Sequence, residues 1–111
     1  MNIRELRIGN FVSKDNSNFK LSAYKLYEET RVSHIREKSK YDPVRLNEKW
    51  LIKFGFELTG DKYKKGLIKV GIGNSFNSVM INNSYVSISI THVHKLQNLY
   101  FCLTGEELTC V

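Results

Sequence analysis

Three short segments between residues 62 and 90 alternate apolar with polar residues, and turns containing glycine or asparagine separate them. The clearest is SYVSISI, where Val86, Ile88 and Ile90 alternate with tyrosine and serine. Successive side chains of a strand point to opposite faces of a sheet, so each segment predicts a strand with one buried and one wet face. Strands this close in sequence pair antiparallel. This part of the chain therefore predicts an antiparallel meander.

Two helices are predicted from the residues at their ends. In LNEKWLIKFGF, Asn47 is a good N-cap and Gly55 suits the left-handed position after the last turn. A second helix is predicted at about residues 92–104, where Thr91 supplies a cap and Gly105 a stop. Apolar residues at helical spacing predict its core-facing stripe. They are Val93, Leu96, Tyr100 and Leu103.

The N-terminal part of the chain predicts a second, smaller sheet. A strand follows Asn10, and alternation or β-branched residues predict two more at 19–27 and 30–36. Pro43 cannot donate to a strand ladder, so it is expected at a sheet edge or a strand start. The predicted fold is α+β: a small antiparallel sheet similar to an SH3-like one, a short central helix, an antiparallel meander and a C-terminal helix.

Composition indicates one globular domain, residues 1–111. Hydrophobic residues make up 41% of the chain and charged residues 25%. No apolar run approaches the ~20 residues that span a bilayer, and the opening MNIRELRIGN lacks the apolar segment of a secretory signal. Cys102 and Cys110 are too few for a disulfide framework. Two free thiols, no membrane contact and a cytoplasmic location are expected.

Positive charge is concentrated in the first two thirds of the chain. Residues 1–69 hold 16 Lys and Arg against 9 Asp and Glu, whereas residues 70–111 hold 1 against 2. A one-sided positive field attracts nucleic acid, nucleotides or acidic proteins. A basic surface that only keeps the protein soluble explains the same numbers.

The segment KYKKGLIKVGIGNSFNS, residues 62–78, is the strongest candidate for anion binding. Glycines let backbone N–H groups approach a phosphate, lysines neutralise it, and aromatic rings stack on bases. The candidate residues are Tyr63, Lys64, Lys65, Lys69, Asn74, Ser75 and Phe76. The spacing fits neither the P-loop nor the dinucleotide-binding fingerprint, so no cofactor is predicted. Lysines that protect a hairpin edge from aggregation are the alternative interpretation.

Two further pairs are candidate ligand contacts. Arg31 and Arg36 lie in a basic predicted strand that suits a phosphodiester. His94 and Asn98, spaced i and i+4, lie on the face of the last helix opposite its apolar stripe. The pair could contact a ligand base, but hydrogen bonds to a neighbouring loop are the favoured interpretation.

Catalytic and metal signatures are absent from the sequence. His92 and His94 point to nearly opposite sides of a helix, and no acid or cysteine lies at metal-ligand spacing from them. The serine-hydrolase elbow, the zinc-protease motif and a cysteine–histidine signature do not occur. A non-enzymatic protein without a metal is therefore predicted.

Three blocks carry a resemblance to a known family. In this order, IRELRIGNFV, LNEKWLIKFGF and VHKLQNLYFCLTGEEL resemble short proteins of bacterial viruses and prophages. The blocks cover about a third of the chain, and the lysine-rich hairpin lies outside them. The resemblance implies a phage-derived protein in the cytoplasm of an infected bacterium, and it implies no activity.

The leading hypothesis is a non-enzymatic protein that sequesters a phosphate-bearing ligand. A cyclic nucleotide or oligonucleotide signal of bacterial immunity suits it, by analogy with other small phage proteins that act as anti-defence sponges. The first alternative is a DNA- or RNA-binding accessory protein that uses the same basic surface. The second is an adaptor or inhibitor that binds a host protein through the exposed face of the last helix. A site shared within a homo-oligomer is compatible with each.

Overall fold

The computed structural model describes residues 6–15, 17–22, 41–73, 76–88 and 90–110. These residues form two antiparallel sheets and two helices, which confirms the predicted α+β class. In chain order the elements are β1 Phe11–Lys14, β2 Ser17–Lys20, β3 Asp42–Pro43, α1 Glu48–Lys53, β4 Glu57–Thr59, β5 Lys62–Lys65, β6 Ile68–Gly71, β7 Ser78–Ile81, β8 Ser84–Val86 and α2 Val93–Thr104.

The small sheet has the strand order β2-β1-β3. Val12 is its centre, with Phe19 opposite it on one side and Pro43 on the other. Pro43 thus lies in an outer strand of the described sheet, as predicted. The second strand begins at Ser17, earlier than predicted, and Leu21 already lies beyond it. The strand predicted at 30–36 lies outside the described residues.

A small apolar cluster supports this sheet. It consists of Leu6, Val12, Leu21 and Tyr41, with the partly buried Phe19 ring against Tyr41. The two ring centroids are 5.3 Å apart in an edge-on arrangement, which aromatic pairs prefer over face-to-face stacking.

The five-stranded sheet is the predicted meander, with the strand order β4-β5-β6-β7-β8. Asn82 and Asn83 close its last hairpin with φ of 52° and 64°. Positive φ at both turn residues gives the twist that antiparallel strands need, and asparagine tolerates it. The first strand, β4, was not predicted. It is only three residues long, and all three are exposed, so burial does not alternate along it.

The inner face of the meander carries most of the main core. The cross-strand register aligns Tyr63, Val70, Val79 and Val86 in one row, and Ile68 lies beside it. Both helices contribute to the same core, through Leu51 and Phe54 near α1 and through Val93 and Leu96 of α2. The helices therefore cover the inner face and leave the opposite face uncovered by the described helices.

Helix α1 has the predicted ends. The Asn47 side chain accepts a hydrogen bond from the Trp50 amide at 3.1 Å. At the other end Gly55 has φ 86°, its N–H donates to Ile52, and the Phe56 N–H donates to Leu51. These two bonds form a Schellman motif, which satisfies carbonyls that the helix would leave unpaired.

Helix α2 departs from prediction at its N-cap and at the last residue of its apolar stripe. His92, not Thr91, occupies the N-cap position. Val93 and Leu96 are fully buried, but Leu103 is 48% exposed and lines an apolar pocket with Ile68 and Ile81. Ile88, predicted to be buried in a strand, is 41% exposed, because β8 ends at Val86. None of the described helices is both long and apolar enough to cross a membrane.

The cap of α1 gives a test of this part of the fold. Replacing Asn47 with alanine removes the acceptor for the Trp50 amide, and we expect a loss of about 1 kcal/mol in the free energy of unfolding. Asn47→Ser keeps a capping oxygen and should lose much less. Chemical denaturation measures both, and equal stability of the alanine and wild-type proteins would contradict the assignment.

Candidate functional site

The outer face of the meander brings the predicted lysines only partly together. Lys64 and Lys69 are direct cross-strand partners on β5 and β6. The same row continues through Met80 to Tyr85. We define the outer face by the residues that share this side of the sheet: Glu57, Thr59, Lys62, Lys64, Lys69, Gly71, Ser78, Met80 and Tyr85.

Lys62 lies along this face instead of extending into solvent. A β-carbon at Gly71 would lie only 2.5 Å from the Ser78 hydroxyl oxygen, whereas Lys62 Cγ and Cε, at 3.6 Å and 3.8 Å from that position, would be in ordinary van der Waals contact with it. The Lys62 ammonium ends 5.5 Å from the centre of the Tyr85 ring, and it is 3.6 Å from the Asp61 carboxylate. A hydrogen bond to Tyr85 is the largest cause that raises the Lys62 pKa, and Asp61 adds to it. Lys62 is therefore a cation at neutral pH.

Two adjoining grooves open beside this lysine. One, of about 240 Å³, is lined by Asp61, Lys62, Gly71, Ile72, Gly73, Phe76 and Ser78. The other, of about 370 Å³, is more apolar and is lined by Phe76, Asn77, Ser78, Val79, Tyr85, Val86, Ser87 and Ile88. Phe76 and Ser78 belong to both, so Phe76 stands between a charged groove, which contains the Lys62–Asp61 ion pair, and an aromatic one.

A buried asparagine holds the loop that carries Phe76. The Asn77 side chain accepts from the Gly73 N–H at 3.3 Å and donates to the Ile90 carbonyl at 2.8 Å. These bonds hold Asn77 in place, so the 70% exposed Phe76 ring lies next to an anchored residue. Asn74 and Ser75, both predicted to bind phosphate, lie outside the described residues, as do Arg31 and Arg36.

Two predicted site residues, Tyr63 and Lys65, lie on the inner side of the sheet. Tyr63 is buried, and its hydroxyl donates to Glu48 at 3.2 Å; burial and that carboxylate raise its pKa. Its ring is core material and offers no surface to a base. The Lys65 ammonium donates to the Phe54 carbonyl at 2.6 Å. The alternation of strand residues explains both placements, because 63 and 65 share the face opposite to 64.

Lys62 and Tyr85 are site residues that sequence reasoning left out of its candidate set. The signal for Tyr85 was present, since it alternates with Val86 on the predicted wet face of SYVSISI. Lys62 shares the parity of Lys64, which places both on one face of β5. Its contact with Tyr85, three strands away in the sheet, is a long-range contact that alternation within one strand does not predict.

The two helical candidates, His94 and Asn98, are structural. His94 is buried, and its ring lies 6.0 Å from that of His92. The Asn98 side-chain oxygen accepts from Arg7 Nε at 2.7 Å and from the Asn10 amide at 2.9 Å. This face of α2 packs against the loop before β1. The alternative that the protein binds a host protein needs this face of α2 to be exposed. Much of the face is buried inside the protein, which weakens that alternative.

Arg7 makes the largest set of contacts at this junction. Its guanidinium also pairs with the Glu107 carboxylate, donates to the Gln97 carbonyl at 3.2 Å, and lies 4.4 Å from the centre of the Phe101 ring. Gln97 adds two bonds with its buried amide: it donates to the Gly9 carbonyl and accepts from the Phe11 N–H. We call Arg7, Asn10, Gln97, Asn98 and Glu107 the polar junction.

The described residues contain no group of three His, Cys, Asp or Glu side chains able to hold a metal ion. Comparison with known proteins finds no matching family model, no matching curated protein and no matching solved structure. The geometry of the outer face is therefore the main ground for a functional proposal.

The structural role of Asn98 can be tested directly. Asn98→Ala leaves the buried Asn10 amide without the acceptor that it uses here, so we expect about 1–3 kcal/mol less stability. Cys102→Ala, on the exposed side of the same helix, should change it by less than about 0.5 kcal/mol. Urea denaturation measures both variants. If Asn98→Ala unfolds with the same free energy as Cys102→Ala and the wild-type protein, the polar junction does not hold α2 in place.

Proposed function

We propose that this protein binds a phosphate-bearing, nucleotide-type ligand on the outer face of its meander without transforming it. The observation that carries the proposal is that Lys62, Lys64 and Lys69 share one face of the sheet with Tyr85, and that Lys62 lines a groove with the exposed Phe76 ring. Lysines supply charge for phosphate, and aromatic rings supply stacking surfaces for bases. Each type alone is common on a protein surface, and the combination is what favours nucleotides.

The lysine pair adds an energetic argument. Lys64 and Lys69 face each other directly across β5 and β6, where paired side chains lie about 4.5–5.5 Å apart and like charges oppose pairing. Glu57, opposite Lys64 on β4, offsets only one side. An anion bound between the two ammonium groups would remove the repulsion. Binding free energy would then include the relief of a cost already present in the free protein.

Two sources of such a ligand share this chemistry. One is a small cyclic nucleotide or oligonucleotide signal, which the protein would sequester. The other is a DNA or RNA strand. The resemblance to phage and prophage proteins supports action in the cytoplasm of an infected bacterium, where both occur. The proposal covers both ligands, and the dependence of the binding affinity on salt concentration distinguishes them.

The test is binding by a set of fluorescent ligands: a cyclic dinucleotide, a short single-stranded oligonucleotide and a duplex, each at several salt concentrations. We expect the double variant Lys64→Glu/Lys69→Glu to bind at least tenfold more weakly. For a strand, the slope of log affinity against log salt should fall by ~0.7 for each phosphate that the variant no longer neutralises. A messenger would instead give one tight complex and a raised melting temperature.

The matched control is Lys14→Glu/Lys49→Glu, which changes the net charge equally at exposed lysines of β1 and α1. It should retain most of the affinity. If both double variants bind more weakly to the same extent, charge alone explains the binding and the outer face is not the site. If no ligand in the set binds the wild-type protein, the proposal fails.

A further inference from the structure

We infer that the ligand of the outer face is single-stranded nucleic acid, with bases stacked on Phe76 and Tyr85 and the backbone held by the lysines. This inference rests on the proposed function and narrows it to one class of ligand. It draws on the arrangement of the two grooves, the exposure of the two rings and the path of Lys62.

The aromatic groove suits a base. Phe76 is 70% and Tyr85 66% exposed, and both line the groove of about 370 Å³ together with Val86 and Ile88. Rings this exposed contribute little to the core. A base stacked on either ring would cover apolar surface that now faces water, and such stacking tolerates any base because every base has a π face.

The charged groove, lined by Lys62 and Asp61, lies where the backbone that joins such bases would pass. Phe76 and Ser78 are shared by both grooves, so a chain that places a base against Phe76 enters the neighbouring groove within one nucleotide. There the Lys62 ammonium and the Ser78 hydroxyl line the path. Lys64 and Lys69 lie further along the same face. Alternating stacking and charge match the alternating bases and phosphates of a strand.

The open shape of the grooves favours a strand over a small messenger. A site that sequesters a small ligand usually encloses about 70–90% of its surface. In the described part of the chain, these two grooves are shallow and join side by side on a sheet surface. A strand can enter and leave such a surface at both ends. In a duplex the bases are paired inside, so their faces cannot reach Phe76 or Tyr85.

Two carboxylates limit the affinity of this face. Asp61 is 3.6 Å from the Lys62 ammonium, and Glu57 is the cross-strand partner of Lys64. Both would repel a phosphate. Asp61→Asn should therefore strengthen binding of a strand several-fold, and a weaker or unchanged affinity would show that the backbone does not pass beside Lys62.

The decisive experiment compares three probes by fluorescence anisotropy: a single-stranded oligonucleotide, the same sequence as a duplex, and inorganic polyphosphate as competitor. We expect Phe76→Ala and Tyr85→Ala each to weaken single-strand binding about 5- to 150-fold. Tyr85→Phe keeps the ring and should retain most of the affinity. Polyphosphate has no bases, so its inhibition constant, corrected for the weaker binding of the probe, should be the same for Phe76→Ala as for the wild-type protein.

Leu58→Ala is the matched control, because it removes an exposed apolar side chain from the edge strand of the same sheet. It should change single-strand affinity less than twofold. Melting curves show whether each variant is folded, and Phe76→Leu and Tyr85→Leu repeat the test with apolar bulk retained.

The inference and the proposed function fail differently. Duplex binding as tight as single-strand binding, or aromatic variants that bind like the wild type while Lys64→Glu/Lys69→Glu binds weakly, would overturn the single-strand inference alone. Tight binding of a cyclic dinucleotide with no affinity for a strand would also overturn it and leave the broader proposal standing. Failure of every nucleotide-type probe would remove both.

Discussion

The polar junction is the contact on which the rest of the architecture depends. Helix α2 covers the meander with one side and meets the loop before β1 with the other. That second contact consists of buried amides: Gln97 bonds to the backbone on both sides of Asn10, and Asn98 bonds to its side chain. Buried polar groups are costly unless paired, so this junction has one satisfactory geometry. It fixes the small sheet relative to the helix, and the helix fixes the inner face of the meander.

Once the inner face is covered, the outer face is determined by strand parity and register. Lys64 and Lys69 must share a side with Lys62, because one residue of slip would bury all three. Lys62 then lies across the sheet beside Gly71, and its ammonium ends 5.5 Å from the centre of the Tyr85 ring. A basic and aromatic surface thus follows from local choices that also satisfy the fold.

Sequence patterns predicted the elements better than they predicted the site. The caps of α1 and the Asn82-Asn83 turn were readable because each is a local signal that needs few neighbours. Leu103 was misplaced because helical spacing predicts a shared face but not how closely the sheet packs against its last turn. Tyr63 and Lys65 were grouped with Lys64 by proximity in sequence, although alternation separates them. For Asn98 a neighbouring loop was favoured over a ligand base, and it does bond to the loop before β1, but the sequence could not name partners that lie almost ninety residues away.

The contrast between the junction and the outer face bears on where function resides. The segments IRELRIGNFV and VHKLQNLYFCLTGEEL contain Arg7, Asn10, Gln97 and Glu107, whose hydrogen bonds join the two ends of the described chain. The outer face has features that folding does not need: a like-charge pair at Lys64 and Lys69, and two rings left largely in water. A sheet optimised for stability alone would pair opposite charges at that position. Surfaces that retain such costs are typical of binding sites, where some stability is given up for function. The lysine-rich hairpin is therefore the better place to look for a ligand than the more recognisable helix.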